Sequence, residues 1–415
     1  MTRPAPNIVV FSTLFPNEGQ PQAGLFVRER MFRVAKTLPL TVVAPVPWFP
    51  LQSLVRRWRP HFRPEPPRRE VQDGIEVLHP RFFSFPGLLK QLDGIFLALG
   101  TFGTLRRLKR AGRLDVLDAH FAYPDGYAAT LVGRWLGVPV TITLRGTEAR
   151  HARMRTLEKR IRKALERASR VFSVSDSLKR IAVGLGIPYQ KILVVANGVD
   201  TATFHPMPRS EARSRLGLPH DAPVLVSVGA LVERKGFHRV IECVPALRAA
   251  MPGLQYLIVG GPSPEGDWRT RLEGQVAEMG LADCVRFLGA VPPGELRVPL
   301  SAGDVFVLAT RNEGWANVFL EAMACGLPVV ATDVGGNAEV VCRSDLGTIV
   351  PFGDARALER ALAAALGRRW DRRTIIEYGR QNSWDHRIAV LVEALRSVSI
   401  PENPRATAGA GAAVR

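Results

Sequence analysis

The sequence has few of the residues from which metal and disulfide sites are built. Its four cysteines stand singly among apolar neighbours without a Cys-x-x-Cys pair, and its eight histidines form no His-Glu-x-x-His motif. An Asp-x-Asp metal motif is absent as well. We therefore expect no disulfide framework, no resident metal and no other cofactor, and a reducing cytoplasm is the default compartment.

Long apolar runs are also missing. The longest candidate, residues 94–103, is about ten residues long, whereas a membrane-spanning helix needs ~18. The apolar stretch near the N-terminus is too short for a signal peptide, and residues 8–11 are predicted to form a first strand instead. With 46% hydrophobic and 23% charged residues, the composition is that of a soluble globular protein.

Acidic residues are scarce in one half of the chain only. Residues 1–200 contain 32 lysines and arginines against 15 aspartates and glutamates, a net charge of +17, whereas residues 201–415 contain 24 against 23. The basic residues cluster at 56–69, 106–110 and 150–167. This asymmetry predicts an anionic partner for the first half, either an acidic membrane surface or nucleic acid. Nucleic acid is disfavoured because no recognised binding module accompanies the charge, and a solvated basic face without a partner is the other alternative.

What the chain does contain is two series of short apolar strands that alternate with helices. At 415 residues it is too long for one ordinary core, and two domains of ~200 residues are expected. Continuous apolar strands between helices are typical of parallel sheets covered on both faces. Residues 45–70, rich in proline and arginine, are predicted to be a loop or a partly mobile flap. The predicted strands are 8–11, 41–44, 75–78, 116–119, 140–144, 171–175 and 192–195 in the first series, and 224–228, 254–259, 285–288, 305–308 and 329–332 in the second.

Residues 304–340 carry the most informative pattern. A strand is followed by a polar loop, by a helix that Asn317 is predicted to cap and that stops at Gly326, and by a second strand. Glu313 and Glu321 border the N-terminus of this helix, where an open α/β sheet binds anions. Ionised carboxylates only accept hydrogen bonds, so they suit neutral hydroxyl groups. The pattern indicates a ligand that is anionic in one part and rich in hydroxyls in another, as a nucleotide sugar is.

This segment resembles the Glu-x7-Glu signature of the retaining glycosyltransferases of family 4, which have the GT-B fold. Four further blocks are similar to that family in the expected order, and the likeness covers roughly residues 7–398. The resemblance implies an α/β protein with two facing Rossmann-like domains, parallel sheets and an interdomain cleft, and a hexosyltransferase-type enzyme (EC 2.4). The four blocks are residues 15–30, 119–126, 197–200 and 227–236.

The same resemblance divides the chain. It implies an N-terminal Rossmann-like domain that binds the acceptor and a C-terminal one that binds the nucleotide-sugar donor. A C-terminal helix is expected to return to the N-terminal domain, and the low apolar content of the last residues predicts a disordered tail. In order, these parts are residues 1–203, 204–380, 381–400 and 401–415.

In the second half, the implied donor site surrounds Lys235, which is the only lysine of residues 201–415. By resemblance, Lys235 contacts the donor pyrophosphate and is catalytic, with Gly229 and Arg234 beside it, and we expect it in an exposed loop. The family often has arginine directly after this glycine, where this chain has Ala230. Arg234 is the candidate replacement for that missing cation.

The two carboxylates receive different implied roles. Glu313 would hydrogen-bond the donor sugar and is counted as catalytic, while Glu321 would bind the 2′ and 3′ hydroxyls of the ribose. The alternative for Glu321 is an ordinary carboxylate near a helix N-terminus. The remaining donor-binding residues implied by the resemblance are Gly24, Gly314, Trp315, Ala316 and Asn317.

His120 is the third catalytic candidate. It stands at the end of a predicted strand, and the family uses this histidine near the sugar, although a lone histidine is more often structural. Arg145, Glu148 and Asn197 are possible contacts in the same cleft. For Asn197, which precedes a glycine, a plain turn is the alternative.

These features predict a retaining glycosyltransferase that moves a sugar from a nucleoside diphosphate to an acceptor hydroxyl without a metal. The acceptor is expected to be a lipid-linked oligosaccharide or another glycan of exopolysaccharide or cell-envelope synthesis. The basic half would then dock on the inner membrane face through residues 56–69, with Trp58 and Phe62 as interfacial anchors. The alternatives are a nucleotide-sugar epimerase of the same architecture, disfavoured by the transferase-like blocks, and a non-catalytic scaffold in polysaccharide assembly.

Overall fold

A computed structural model of the chain describes residues 4–21, 23–58, 62–63, 65–152, 154–263 and 265–399. Two compact units make up the structure. The predicted domain boundary lies at 203/204, whereas the units change at 195/196 and again at 387/388. The predicted tail, 401–415, lies outside the described residues. The first unit contains the chain up to Ser173, Lys179–Val195 and the part from Ile388 on, and the second contains Val174–Leu178 and Ala196–Arg387.

The first unit is built on an eight-stranded sheet in the order β10-β9-β8-β7-β1-β2-β5-β4. Every neighbouring pair is parallel except β4 and β5 at one edge. The central strands β1, β7 and β8 are buried along their whole length. The strand β1 is a continuous apolar run, as a parallel strand covered on both faces favours, whereas β7 also buries Asp118 and His120. A separate parallel ribbon joins β3 to β6. The strands are β1 (Ile8–Phe11), β2 (Leu40–Val43), β3 (Val46–Trp48), β4 (Arg69–Gln72), β5 (Ile75–Leu78), β6 (Arg81–Phe83), β7 (Val116–His120), β8 (Val140–Leu144), β9 (Arg170–Ser173) and β10 (Ile192–Val194).

The second unit is built on a six-stranded, wholly parallel sheet in the order β13-β12-β11-β14-β15-β16. Two apolar clusters pack on this sheet, one of which includes most of the helix that carries Glu321. Its strands are β11 (Val224–Val228), β12 (Gln255–Val259), β13 (Val285–Gly289), β14 (Val305–Leu308), β15 (Val329–Thr332) and β16 (Gly347–Val350).

Helices connect the strands of both sheets, so the chain is of the α/β class that the alternating pattern predicted. None of the helices in the described ranges is long and apolar enough to cross a membrane. They are α1 (Leu25–Ala35), α2 (Gln52–Trp58), α3 (Asp93–Arg110), α4 (Tyr127–Leu136), α5 (Thr147–His151), α6 (Arg155–Arg167), α7 (Asp176–Gly184), α8 (Arg209–Arg215), α9 (Phe237–Ala250), α10 (Arg269–Glu278), α11 (Arg297–Ala302), α12 (Asn317–Ala324), α13 (Asn337–Val340), α14 (Ala355–Gly367), α15 (Arg372–Gln381) and α16 (Trp384–Val398).

Two local predictions are wrong. The stretch 45–70 is not only a loop, because it contains the strand β3 and the helix α2. Asn317 does not cap α12: it is the first residue of the helix, Ala316 occupies the cap position, and no side chain caps that end. The side-chain oxygen of Asn317 instead accepts a hydrogen bond from Nδ2 of Asn197, at 3.0 Å.

Candidate functional site

In the second unit, the candidate residues lie on two neighbouring loops. The strands β11 and β14 are adjacent and parallel, so their carboxyl ends meet at the edge of the sheet where α/β proteins bind ligands. Lys235 follows β11 and Glu313 follows β14. Two hydrogen bonds to the carbonyl oxygen of Arg234 join the loops, from the backbone N–H of Arg311 at 2.7 Å and from the hydroxyl of Thr310 at 2.9 Å.

Lys235 and Glu313 form an ion pair through Nζ and Oε1. Their side chains are only 14% and 11% exposed, so Lys235 is not the exposed loop lysine that the sequence suggested. Nη1 of Arg234 lies 3.4 Å from the same Glu313 oxygen, while its guanidinium also makes two hydrogen bonds with Glu265, at 2.7 and 2.8 Å. Two cations therefore converge on one carboxylate. That Arg234 replaces the cation missing at Ala230 stays a prediction.

Glu321 lies on α12 and is half-buried. Burial raises the pKa of its carboxyl to about 7, and the positive charge of Lys235 opposes this rise only in part. Within the described part of the chain, no donor lies within hydrogen-bonding distance of this carboxylate. The residue is half-buried, and an ionised carboxylate there accepts hydrogen bonds, which hydroxyl groups of a ligand would supply.

The loop between Glu313 and α12 packs closely against two glycines that follow β15, Gly335 and Gly336. Gly335 has φ +56°, and a Cβ there would come within 1.6 Å of the Glu313 carbonyl oxygen, so only glycine fits. Gly336 approaches Gly314 in the same way, with a Cβ at 2.8 Å from its carbonyl oxygen. Sequence reasoning missed both residues, although a Gly-Gly pair separated from a strand by two residues is a signal for close backbone approach.

The other donor-side candidates lie around these loops. Gly229 lies behind the Lys235 side chain, since a Cβ there would be 3.5 Å from Cδ and Cε of the lysine. Trp315 packs its ring 5.4 Å from the guanidinium of Arg387, and within the described residues its Nε1 has no acceptor. Ala316 is buried, and Asn197 is buried and bound to Asn317.

In the first unit, His120 ends β7 and is completely buried. Its Nδ1 accepts a hydrogen bond from Nη2 of Arg145 at 2.9 Å, which places the ring proton on Nε2, 3.3 Å from Oδ2 of Asp118. Burial and the Arg145 charge lower the pKa of His120 to about 4, so the ring is neutral at neutral pH. Burial alone would raise the pKa of Asp118, but His120 and Thr141 bring it below its usual value. A contact between His120 and a substrate stays a prediction.

Glu148 is buried and engaged with the backbone. Its carboxylate accepts hydrogen bonds from the N–H groups of Ala122 at 2.9 Å, Arg145 at 3.1 Å and Gly146 at 2.8 Å. It therefore connects the loop after β7 to the loop after β8. The Arg145 guanidinium lies 5.3 Å from the ring of Phe26 and binds His120. The substrate contacts of Glu148 and Arg145 stay predictions.

Two further features surround the loop after β1. Gly24 has φ +69°, and a Cβ there would lie 2.3 Å from the Leu14 carbonyl oxygen, so the loop packs closely only with glycine. Asp125, which the sequence reasoning missed, accepts hydrogen bonds from the N–H and the hydroxyl of Thr13, at 2.5 and 3.0 Å. Burial raises the pKa of Asp125 to about 7. Its place in the block 119–126 was the available signal.

Comparison with known proteins follows the two units. A sequence profile described as "Glycosyltransferase Family 4" matches residues 51–203, and one described as "Glycosyl transferases group 1" matches residues 208–382. A D-inositol 3-phosphate glycosyltransferase of Actinosynnema mirum is 34% identical over 79% of this chain and 84% of its own length. A putative teichuronic acid biosynthesis glycosyltransferase, TuaC of Bacillus subtilis, is 29% identical over 86% and 88%.

Solved structures share the fold over nearly the whole chain. A sucrose-phosphate synthase from Thermosynechococcus elongatus has a TM-score of 0.73 at 23% identity, covering 95% of this chain and 99% of that one. HepE from Anabaena in complex with UDP has a TM-score of 0.72 at 20% identity, covering 94% and 100%. These likenesses confirm the predicted fold class, two Rossmann-like domains with parallel sheets as in GT-B glycosyltransferases. The predicted interdomain cleft stays a prediction.

Proposed function

Because the chain belongs to glycosyltransferase family 4, we propose that it is a retaining enzyme that takes its sugar from a nucleoside-diphosphate donor held by the second unit. The observation that carries the proposal is the set of two cations and two carboxylates on two adjacent loops and the helix α12 that follows one of them. Lys235 and Arg234 meet at Glu313, and Glu321 lies close enough to Lys235 for that charge to lower its pKa. Such a set matches a ligand with one anionic and one hydroxyl-rich part.

Each group has a separate task in this proposal. The donor diphosphate takes the place of Glu313 beside Lys235, and Glu313 turns to accept hydrogen bonds from sugar hydroxyls. Glu321 accepts hydrogen bonds from the ribose, which supplies donors to its half-buried carboxylate. HepE from Anabaena, which shares this fold, was solved in complex with UDP, a nucleoside diphosphate of the kind proposed here.

The reaction breaks the bond between the anomeric carbon and the diphosphate oxygen and forms a bond to the acceptor oxygen on the same face. The acceptor proton passes to an oxygen of the departing diphosphate. Lys235, with Arg234, stabilises the charge that develops on the leaving group, which is how preorganised donors act in a site shielded from water. We propose that these two cations do this without a metal ion.

The test is an assay of the whole chain with UDP-, GDP- and ADP-sugars, each with and without a glycan acceptor. We expect release of nucleoside diphosphate only with acceptor, equal rates in EDTA and in magnesium, and a product with the donor's anomeric configuration by NMR. An inverted product overturns the retaining mechanism. An epimerised nucleotide sugar without acceptor indicates the epimerase, and binding without turnover indicates the scaffold.

We further propose a lipid-linked acceptor, met at an anionic membrane surface through the first unit. The helix α2 buries Gln52 and exposes Leu54 and Trp58, by 50% and 84%, and Leu51 directly before the helix is 72% exposed. Leucine and tryptophan on the outer face of a helix, with glutamine inside, point to an apolar partner for that face. An anionic bilayer fits best, because the surrounding half of the chain is strongly basic.

A second segment extends this surface. Phe85, Leu88 and Leu89 are exposed, and their segment is fixed to the α2 segment by the ring contact of Phe49 with Phe85 at 5.4 Å and by a hydrogen bond from Arg63 to the Ser84 carbonyl at 2.7 Å. We call the exposed apolar residues of the two segments the docking surface. They are Leu51, Leu54, Trp58, Phe85, Leu88 and Leu89.

The structure alters the expected role of the arginine cluster. Arg56 donates hydrogen bonds to the carbonyl oxygens of Phe62 and Arg63, so Arg56 and Arg63 hold the segment together and are not free for lipid headgroups. Phe62 packs against Phe49 with ring centroids 6.3 Å apart, which makes Trp58 the better interfacial anchor. Arg57 is exposed, and Arg59 lies outside the described residues.

Sedimentation with vesicles tests the docking surface. The double variant Leu54→Ser/Trp58→Ser should bind vesicles of phosphatidylglycerol and phosphatidylcholine at least tenfold more weakly than the wild type. The reason is that serine lacks the apolar surface that Leu54 and Trp58 would bury in the bilayer. Trp135→Ser is the matched control, since Trp135 is also exposed in the first unit but belongs to α4. Equal binding of the two variants would overturn the docking proposal and leave a soluble acceptor.

A further inference from the structure

A cavity of about 420 Å³ lies in the first unit beside the ribbon of β3 and β6. Three arginines line it: Arg68 before β4, Arg81 in β6 and Arg107 in α3. Trp48 and Thr104 add an indole and a hydroxyl, and no carboxylate belongs to the lining formed by the described residues. The candidate donor residues of the second unit take no part in it.

Among the described residues, two of the three guanidinium groups have no ion pair. Arg81 lies 3.0 Å from Glu65, whereas the contact that the described residues give Arg107 is with the Thr104 hydroxyl, at 3.5 Å. Arg68 has no side-chain partner among the described residues. His79, which also lines the cavity, has both ring nitrogens occupied, by the Ala44 carbonyl and by Glu70 at 2.9 Å each. The concave surface therefore keeps an excess of positive charge.

We propose that this cavity binds a phosphate group carried by a small polar molecule. Guanidinium groups bind phosphate oxygens in pairs of parallel hydrogen bonds, and the Thr104 hydroxyl supplies a further donor. A volume of about 420 Å³ exceeds that of a lone phosphate ion and suits a phosphate with an attached polyol. Phosphate binding here does not depend on the proposed glycosyl transfer.

The position of the cavity is compatible with two sources of such a phosphate. The strands β3 and β6 are parallel and only three residues long, and the two segments of the docking surface begin where these strands end. A ribbon of this length spans ~7 Å, so the cavity lies within reach of headgroups at a docked membrane. The phosphate belongs either to a lipid headgroup or to a soluble phosphate ester.

The first experiment titrates the full chain with glycerol 3-phosphate and with inorganic phosphate, followed by ³¹P NMR. We expect saturable binding that the double variant Arg68→Gln/Arg107→Gln weakens at least tenfold and that Arg110→Gln leaves unchanged. Arg110 is the control because it is an exposed arginine of the same helix outside the lining. Any phosphate that binds in the second unit should bind equally to the wild type, the double variant and Arg110→Gln, so it cannot cause a difference between them. Wild-type binding that does not saturate, or a double variant that binds as well as the wild type, overturns the proposal.

The second experiment repeats the comparison with phosphatidylcholine vesicles that contain phosphatidic acid. If the phosphate arrives on a lipid, the double variant should lose at least fivefold more vesicle affinity than Arg110→Gln. If the phosphate belongs to a soluble ester, the two variants should bind vesicles with equal affinity, and only the double variant should have a lower affinity for glycerol 3-phosphate. Both results keep the phosphate site and assign its source.

Discussion

The ion pair of Lys235 with Glu313 explains how a nearly buried lysine can stay charged in the absence of a bound anion. A buried charge without a partner is costly, and Glu313 offsets that cost while no ligand is bound. A diphosphate brings more negative charge than one carboxylate and can displace it. Glu313 is then free to accept hydrogen bonds, which links donor binding to the positioning of the sugar.

Lys235→Ala should lower kcat by roughly 10²-fold, on the scale of losing one preorganised donor to the leaving group. The fold should survive, because Arg234 stays 3.4 Å from the Glu313 carboxylate and can pair with it. Steady-state kinetics and thermal unfolding measure both effects. Arg311→Ala, which removes an exposed cation from the adjoining loop, is the control. A kcat near that of the wild type would refute the leaving-group role of Lys235.

The two carboxylates should respond differently to amide substitution. Glu321→Gln should weaken binding of nucleoside diphosphate, since the ribose loses an ionised acceptor. Glu313→Gln should keep or strengthen that binding, because it releases Lys235 from its ion pair, and should lower transfer instead. Calorimetric titration with the nucleotide alone measures the affinities. Equal losses of affinity in the two variants would mean that these roles are wrongly divided.

The same Glu321→Gln variant has a signature in the pH dependence of stability. The pKa of Glu321 is raised to about 7 in the folded chain from 4.5, so its contribution to stability is present below pH 4.5 and is lost as the pH rises through 7. Ionised Glu321 should therefore cost about 1–3 kcal/mol at pH 8, which the variant removes. The gain in Tm from Glu321→Gln should be larger at pH 8 than at pH 5.5. A gain independent of pH would contradict a raised pKa of about 7 for Glu321.

At the level of elements, the sequence predicted the strands that are mainly apolar. The bounds of β1, β5, β8, β11, β14 and β15 agree with the structure. All of these except β5, which is half-buried and contains Glu76, are almost fully buried, and a buried parallel strand favours an apolar run. The strands β3, β4, β6 and β16 were missed, since short or half-exposed strands lack that run.

The sequence predicted which residues belong to the candidate site, but it did not predict which of them contact each other. Glu313, Glu321 and Lys235 could be selected because each follows a strand at the ligand-binding edge of a parallel sheet. The ion pair of Lys235 with Glu313 joins residues 78 positions apart, so no local pattern reports it. Asn317 is a strong capping residue by type, yet a tertiary hydrogen bond from Asn197 decided its role.

The three backbone hydrogen bonds to Glu148 predict that α5 and two loops depend on this carboxylate. Glu148→Gln turns one acceptor into a donor that faces backbone N–H groups and should destabilise the first unit by about 2–4 kcal/mol. Thermal unfolding measures this, and Glu166→Gln is the control because the Glu166 side chain is half exposed, with its carboxylate 3.6 Å from Arg162. An unchanged Tm with reduced activity would move Glu148 from a structural to a substrate-binding role.

For the whole molecule, the charge asymmetry is the property that the fold leaves unexplained. A net charge of +17 over residues 1–200 against +1 over the rest has no use in packing two similar sheets. Opposite an anionic membrane, basic residues contribute about 1 kcal/mol each near the surface, and salt screens this attraction within ~10 Å at 0.1 M. Apolar insertion is not screened, so the two contributions can be separated.

We therefore expect binding to vesicles with 30% phosphatidylglycerol to fall at least tenfold between 0.1 and 0.5 M NaCl without vanishing. The part that persists should come from the docking surface, so Leu54→Ser/Trp58→Ser should make binding fully reversible by salt. Neutral vesicles provide the control, because they offer the apolar interior without the charge. Binding that is insensitive to salt, or absent from anionic vesicles at low salt, would contradict a membrane role for the basic half. Tighter binding to duplex DNA than to these vesicles would instead favour the nucleic-acid partner that the sequence disfavoured. Because the salt concentration is the same in both measurements, screening cannot account for such a difference in affinity.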